Sequence, residues 1–232
     1  MSVMADLDSF PRPGVTVDVA VLTVSRPSET IPELRVLVQD RRKPNGRSLP
    51  GGFIRERWTV DRTVDDVLRR KVRIEPSERN RPRLLRLFDD PDRDDRSWVI
   101  SAAHSLSLPE VQLLDATGDL VPVGSDGRLR GEPRLLFDHD EIVSAAVNAL
   151  RERYEIRYRY VDIHPDPDGF LPAPFTLRQL RKVHEAVVGA ELHKDNFNRR
   201  MREYVEPLTR NGKVVVSDGL RGRPATLYRK SN

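Results

Sequence analysis

The chain has 232 residues, 38% of them hydrophobic and 33% charged, with a formal net charge of +4 and no cysteine. That is enough chain for one large or two modest globular domains. It excludes disulfides, thiolate zinc sites and cysteine nucleophiles, and no stretch reaches the roughly 18 uninterrupted apolar residues of a membrane span.

Residues 1–13 carry Asp6 and Asp8 and have no basic segment before an apolar core, so they do not read as a secretory signal and a cytoplasmic location is expected. Residues 15–24, VTVDVAVLTV, are β-branched and nearly all apolar, which predicts a buried strand. Residues 34–39, LRVLVQ, predict a second strand. Residues 41–48 are polar and turn-rich around Pro44, Asn45 and Gly46. LPGGF at 49–53 then precedes a helical stretch over 59–72, where Val60, Val64, Val67, Leu68 and Val72 fall three or four apart. Residues 83–88 and 97–107 predict strands, and 111–123 a strand with loop. From 140 to 154, Ile142, Val143, Ala146, Leu150 and Tyr154 recur at helical spacing, with Asp138 or Asp140 as the N-cap.

The last quarter differs in charge. Residues 176–232 hold 13 basic and 6 acidic residues, against 27 and 30 in the preceding 175. A basic tail on a slightly acidic body suits a polyanion-binding module, although a solvated arginine-rich surface gives the same count. Within it, FTLRQLRKVHEAVV at 175–188 is an amphipathic helix, capped by Thr176, ended by Gly189, and striped with Leu177, Leu180, Val183, His184 and Val187. Residues 192–204 predict a second helix with Phe197 and Met201 inward and Lys194, Asn198, Arg199 and Arg202 outward. Strands at 213–217 and 225–230 then bracket DGLRGRP, a hairpin tip that carries Arg221, Gly222 and Arg223. Helix, turn, basic helix and basic hairpin is the order of a winged helix-turn-helix. His184, on the apolar stripe, reads as a core residue.

LPGGF and the helix after it resemble the opening of the Nudix box, in which glutamates along one helical face hold Mg²⁺ against a diphosphate. That motif runs Gly, five residues, Glu, seven residues, then Arg-Glu-aliphatic-x-Glu-Glu-x-Gly-aliphatic. Laid on Gly52 without gaps, it ends on Ile74. The first Glu position falls on Trp58, the Arg-Glu pair on Asp66-Val67, the Glu-Glu pair on Arg70-Lys71 and the final Gly on Arg73. Asp65 and Asp66 lie one residue off, about 100° around a helix. The metal-binding carboxylates are replaced, so no metal, no cofactor and no catalytic residue is expected. Arg47, Gly51, Gly52, Arg70 and Lys71 are the candidate ligand-binding residues, Arg70 and Lys71 as phosphate contacts or as plain surface cations.

A Nudix-like domain followed by FTLRQLRKVHEAVVG, NFNRRM and GRPATLYR is similar to the Nudix-related transcriptional regulators of NAD metabolism, the NrtR family, over nearly the whole chain. The resemblance implies an N-terminal Nudix-like α/β/α sandwich over 1–137. A linker helix and winged helix-turn-helix would follow over 138–232. It implies a homodimeric repressor on a pseudo-palindromic operator in double-stranded DNA, released by an NAD-related nucleotide such as ADP-ribose. DNA-contact roles carry over to Lys194, Asn196, Asn198, Arg199, Arg200 and Arg202, and for the wing to Arg221, Gly222 and Arg223. Two other classes stay open: a Nudix hydrolase of nucleoside diphosphate derivatives with atypical metal ligands, and an adaptor whose winged helix binds protein.

Overall fold

The computed structural model describes residues 9–26, 31–75, 77–78, 80–131, 133–155, 164–217 and 224–230. Its centre is a mixed sheet built on β1 (Gly14–Ser25), the β-branched run whose length lets it reach several partners. β2 (Glu33–Arg42) pairs antiparallel with the end of β1, from Leu22↔Val36 to Ser25↔Glu33. β3 (Asn45–Ser48) turns back along β2. β4 (Gly51–Phe53) takes the place beside β1 that β2 has left, with Asp18 opposite Gly51. On its other side β1 runs parallel to β6 (Val99–Ser107) over nine residue pairs, and β5 (Arg83–Phe88) closes that edge. β7 (Asp119–Pro122) pairs with β2.

Alternation along β1 divides the core into two. Val17, Val19 and Val21 face α1 (Val60–Val67), the π-type turn Leu68–Val72 and the short 3-10 helix Glu110–Leu113. Ala20, Leu22 and Val24 face α2 (His139–Tyr154). The helical stretch expected over 59–72 therefore widens at Leu68, and it ends at Arg73 in the left-handed region, φ 63°. Asp138 does occupy the N-cap of α2, but its carboxylate binds Arg93 and not the helix backbone.

The C-terminal part consists of α3 (Leu177–Val188), α4 (Lys194–Met201), the short strands β8 (Val205–Pro207), β9 (Thr209–Arg210), β10 (Lys213–Val214) and β11 (Tyr228–Lys230). The Thr176 hydroxyl accepts from the Gln179 N–H, and the Gln179 side chain accepts from the Thr176 N–H, a complete capping box. The stripe expected on α3, His184 included, is buried. Val216↔Thr226 bridges the base of the hairpin; the tip at 218–223, with Arg221, Gly222 and Arg223, lies outside the described residues. Among the described residues no helix is long and apolar enough to cross a membrane.

The apolar cluster on the α2 face does not stop at residue 137. It runs from β1 and β2 through Ile142, Val143, Ala146, Val147 and Leu150 of α2 into Leu180, Val183 and Val187 of α3 and Phe197 and Met201 of α4. The expected division at 137/138 falls within one continuous core.

Gly189, φ 77°, ends α3 where a Cβ would lie 2.9 Å from Ser125 Cα and 3.0 Å from the Arg151 guanidinium. Gly189→Ala combines left-handed strain with that close approach, so it is expected to lower stability by about 2 kcal/mol in urea unfolding. His184 donates from Nε2 to the Pro165 carbonyl at 2.7 Å, with Tyr154 and Phe197 ring edges around it. Burial pushes its pKa down from 6.5 and does the same to His104. The unfolded chain then takes up protons that the native state refuses. Stability is complete above 6.5 and falls as pH drops below it. Urea midpoints measured between about pH 7.5 and about pH 5.5 should show that fall, and His184→Leu should flatten it.

Candidate ligand pocket and nucleic-acid interface

One cavity, of about 310 Å³, opens where β1, β4 and the start of α2 meet. Its floor is Asp18, the one charged residue of β1, only 6% exposed. Ser101 Oγ donates to Asp18 Oδ2 at 2.6 Å, and an Arg93 guanidinium nitrogen lies 3.6 Å from the same oxygen. His139 Nδ1 accepts the Leu49 N–H at 2.9 Å, which leaves the ring proton on Nε2, 3.5 Å from Asp18 Oδ1. Burial alone would raise the Asp18 pKa; His139, Ser101 and Arg93 outweigh it and hold the carboxyl at about 2. A Cβ on Gly51 would fall 1.9 Å from Asp18 Oδ1, so glycine is required there for the carboxylate to sit in the floor.

Arg93 is fixed from behind by Asp138, with Nε–Oδ2 at 2.8 Å and a second contact at 2.5 Å. Further out, Arg96 chelates Asp94, and the guanidinium groups of Arg41 and Arg96 lie 5.2 and 5.0 Å from the centre of the Phe137 ring. Phe137 has φ 62°, a costly conformation for a bulky side chain, held at the cavity rim. Lys71 closes the opposite side, its ammonium donating to the Gly51 carbonyl.

Of the five ligand candidates read from the sequence, the cavity brings together Gly51, Gly52 and Lys71. Arg47 and Arg70 are not in its lining. Arg47 binds Asp40 and Asp119, and Arg70 binds Asp66 across one helical turn at 2.7 Å. Trp58, at the first glutamate position, is covered by Arg55 and Arg62 at 4.7 and 4.2 Å, and Val67 is buried. Sequence reasoning missed Asp18, Arg93 and His139. Only Asp18 carried a signal, an isolated charge in a buried-strand pattern, which demands a partner.

The second site is the α3–α4 unit. Glu185 accepts the Leu192 N–H at 3.0 Å while Arg181 donates to the Leu192 carbonyl at 3.2 Å, so the turn between the helices is fixed from α3. Phe197 and Met201 anchor α4, which leaves Lys194, Asn196, Arg199 and Arg202 exposed and Asn198 and Arg200 half-buried. The Arg210↔Lys213 cross-strand pair adds two exposed cations that the sequence reading passed over.

α2 joins the two sites. Its first residue, His139, lines the cavity, and its N-cap, Asp138, holds the cavity's Arg93. Near its far end Arg151 donates to Val187 O of α3 at 3.1 Å and to Ser125 O at 2.9 Å. Tyr154 donates to the buried Asp166, which also accepts from the N–H groups of Phe170 and Leu171 and pairs with Lys230 of β11 at 3.2 Å.

Residues 169–229 match the family described as the NrtR DNA-binding winged helix domain. Over 229 residues the chain is 27% identical to the ADPR responsive transcriptional repressor NtrR of Acinetobacter baylyi, covering 95% of this chain and 83% of that protein. Its structure is similar to that of Shewanella oneidensis NrtR complexed with a 27mer DNA, at 25% identity and TM-score 0.66, over 94% of this chain and 93% of the other. A MutT/nudix family protein from Enterococcus faecalis shares the fold at TM-score 0.69 and 23% identity, over 97% of this chain and 89% of that one. With a Nudix-type sheet in front of a segment that matches the NrtR winged helix domain, the chain is similar over most of its length to Nudix-related regulators of the NrtR family.

Proposed function

We propose that this chain is a DNA-binding transcriptional repressor, acting in the cytoplasm as a homodimer on a pseudo-palindromic operator. Its Nudix-like unit senses an NAD-related nucleotide, with ADP-ribose the first candidate because the Acinetobacter relative is described as responsive to it. The observation that carries the reading is the exposed row Lys194, Arg199 and Arg202 on the second helix of a winged helix of NrtR type. Such a helix enters a major groove, and cations flanking it neutralise phosphates. Arg221 and Arg223 of the wing are proposed to add backbone or minor-groove contacts.

Hydrolysis is not part of the proposal. The fold family implies Mg²⁺ held by glutamates, and the residues present do not fit it. Trp58 and Val67 offer no oxygen, Arg70 and Lys71 are cations, and Asp66 is engaged by Arg70. Among the described residues no group of three or more His, Asp or Glu is placed to hold a metal ion.

Release follows from α2. A nucleotide that draws on Arg93 or displaces His139 acts on the first turn of a helix whose last turn is tied to α3 through Arg151. Two recognition helices read half-sites only when spaced by about one DNA turn, roughly 34 Å, so a small rotation of the winged helix weakens binding. The nucleotide must favour the DNA-incompetent arrangement for this to work.

Operator fragments selected from genomic DNA supply the test. Arg199→Ala and Arg202→Ala are each expected to weaken binding about tenfold, and losing a phosphate contact should lower the log–log salt slope by about one. Two variants that bind like the parent would remove α4 from the interface. Arg151→Met should keep both operator and nucleotide affinity and lose release of DNA by saturating ADP-ribose; a variant released like the parent would take α2 out of the coupling.

A further inference from the structure

We infer that the cavity takes the diphosphate of its nucleotide without a divalent cation, and that Lys71, assisted by Arg41, supplies the positive charge there. This rests on the proposed sensing role of the same cavity. The backbone at Lys71 is clamped from β2 and the loop before β7: Gln39 Nε2 donates to Lys71 O at 2.7 Å and to Thr117 O at 2.8 Å, and the Thr117 N–H reaches Val72 O at 2.9 Å. So held, the side chain reaches back across the helix end to the Gly51 carbonyl. An ammonium has three donors, and the carbonyl takes one. Among the described residues no carboxylate pairs with Lys71.

The carboxylates around this cation are bound by other groups. Asp18 is held by Ser101, Arg93 and His139, Asp94 by Arg96, and Asp40 lies 3.5 Å from Arg47. Partial burial, and then the charge of Arg41, whose Nε donates to the Lys43 carbonyl, push the Lys71 pKa down against the opposing pull of Asp18 and Asp66. Two like charges lining one cavity are relieved by an anion and opposed by a metal ion. A diphosphate provides oxygens for both, and charge-assisted contacts of this kind are the strong ones. At Gly52 the backbone leaves room for it, because nothing but Val67 and Lys71 lies within 4 Å of a Cβ built there.

The experiment is calorimetric titration of the full chain with ADP-ribose and with inorganic pyrophosphate, in EDTA and in excess Mg²⁺, with operator release followed in parallel. Affinity in EDTA should equal that in Mg²⁺ within about twofold. Lys71→Gln should weaken both ligands by about tenfold or more while its urea midpoint stays with the parent. Lys71→Glu should abolish binding in EDTA. Binding that requires Mg²⁺, or an unchanged affinity in Lys71→Gln, overturns the inference even if operator release persists. Metal-free binding without release sustains it and removes the sensing role instead. Failure of both ligands to bind under either condition overturns both.

Discussion

The apolar face of α2 is the contact on which the rest depends. Ile142, Val143, Ala146, Val147 and Leu150 are all essentially inaccessible, and they are wedged between the sheet and the α3–α4 unit. Each large aliphatic so buried contributes on the order of 2 kcal/mol, and cutting any one to alanine leaves a cavity that close packing cannot refill. Because the same stripe touches both neighbours, the sheet and the winged helix are not independently packed bodies joined by a tether. A shift of α2 on one side must be answered on the other, or voids open.

Polar groups at the two ends of that helix set its axial position. Asp138 and His139 tie it to Arg93, Asp18 and Leu49; Arg151, Arg153 and Tyr154 tie it to α3, to Asp168 and to Asp166. These groups are buried or half-buried, so each depends on its partner being present and an unpaired one would be costly. The arrangement is therefore resistant to small thermal displacement yet sensitive to a ligand that offers Arg93 or His139 a different partner. In the proposed function, that sensitivity is the cavity's route to the α3–α4 unit, which surface contacts alone would not provide.

The altered Nudix helix makes physical sense in this setting. Its backbone keeps the features a nucleotide turn needs, including the left-handed residue that ends it, now Arg73 in place of glycine, while its side chains have changed sign. The residue types at the motif's positions are a matter of identity at fixed spacing and are read directly from the sequence. The location of β1, β6 and α2 was legible because buried strands and amphipathic helices write their period into the chain. Arg93 was not, since it sits in a run of Asp and Arg where nothing local distinguishes the buried guanidinium from its exposed neighbours. The widening at Leu68 and the shared core were equally hidden, because both arise from contacts between segments far apart in the chain. Arg47 and Arg70 look like ligand groups in the sequence, but acidic partners at Asp119 and Asp66 claim them once the chain is folded.

The same reasoning bounds what the cavity can do to DNA affinity. A ligand shifts an equilibrium only by the difference in its affinity for the two arrangements, so a modest rearrangement around Arg93 yields a modest coupling, typically about 1–3 kcal/mol. In a dimer, both winged helices must keep register with one duplex, and each cavity then contributes its own share to the loss of that register. Two such shares multiply their effects on the dissociation constant. Weak coupling per chain thereby becomes a steep response of the complex.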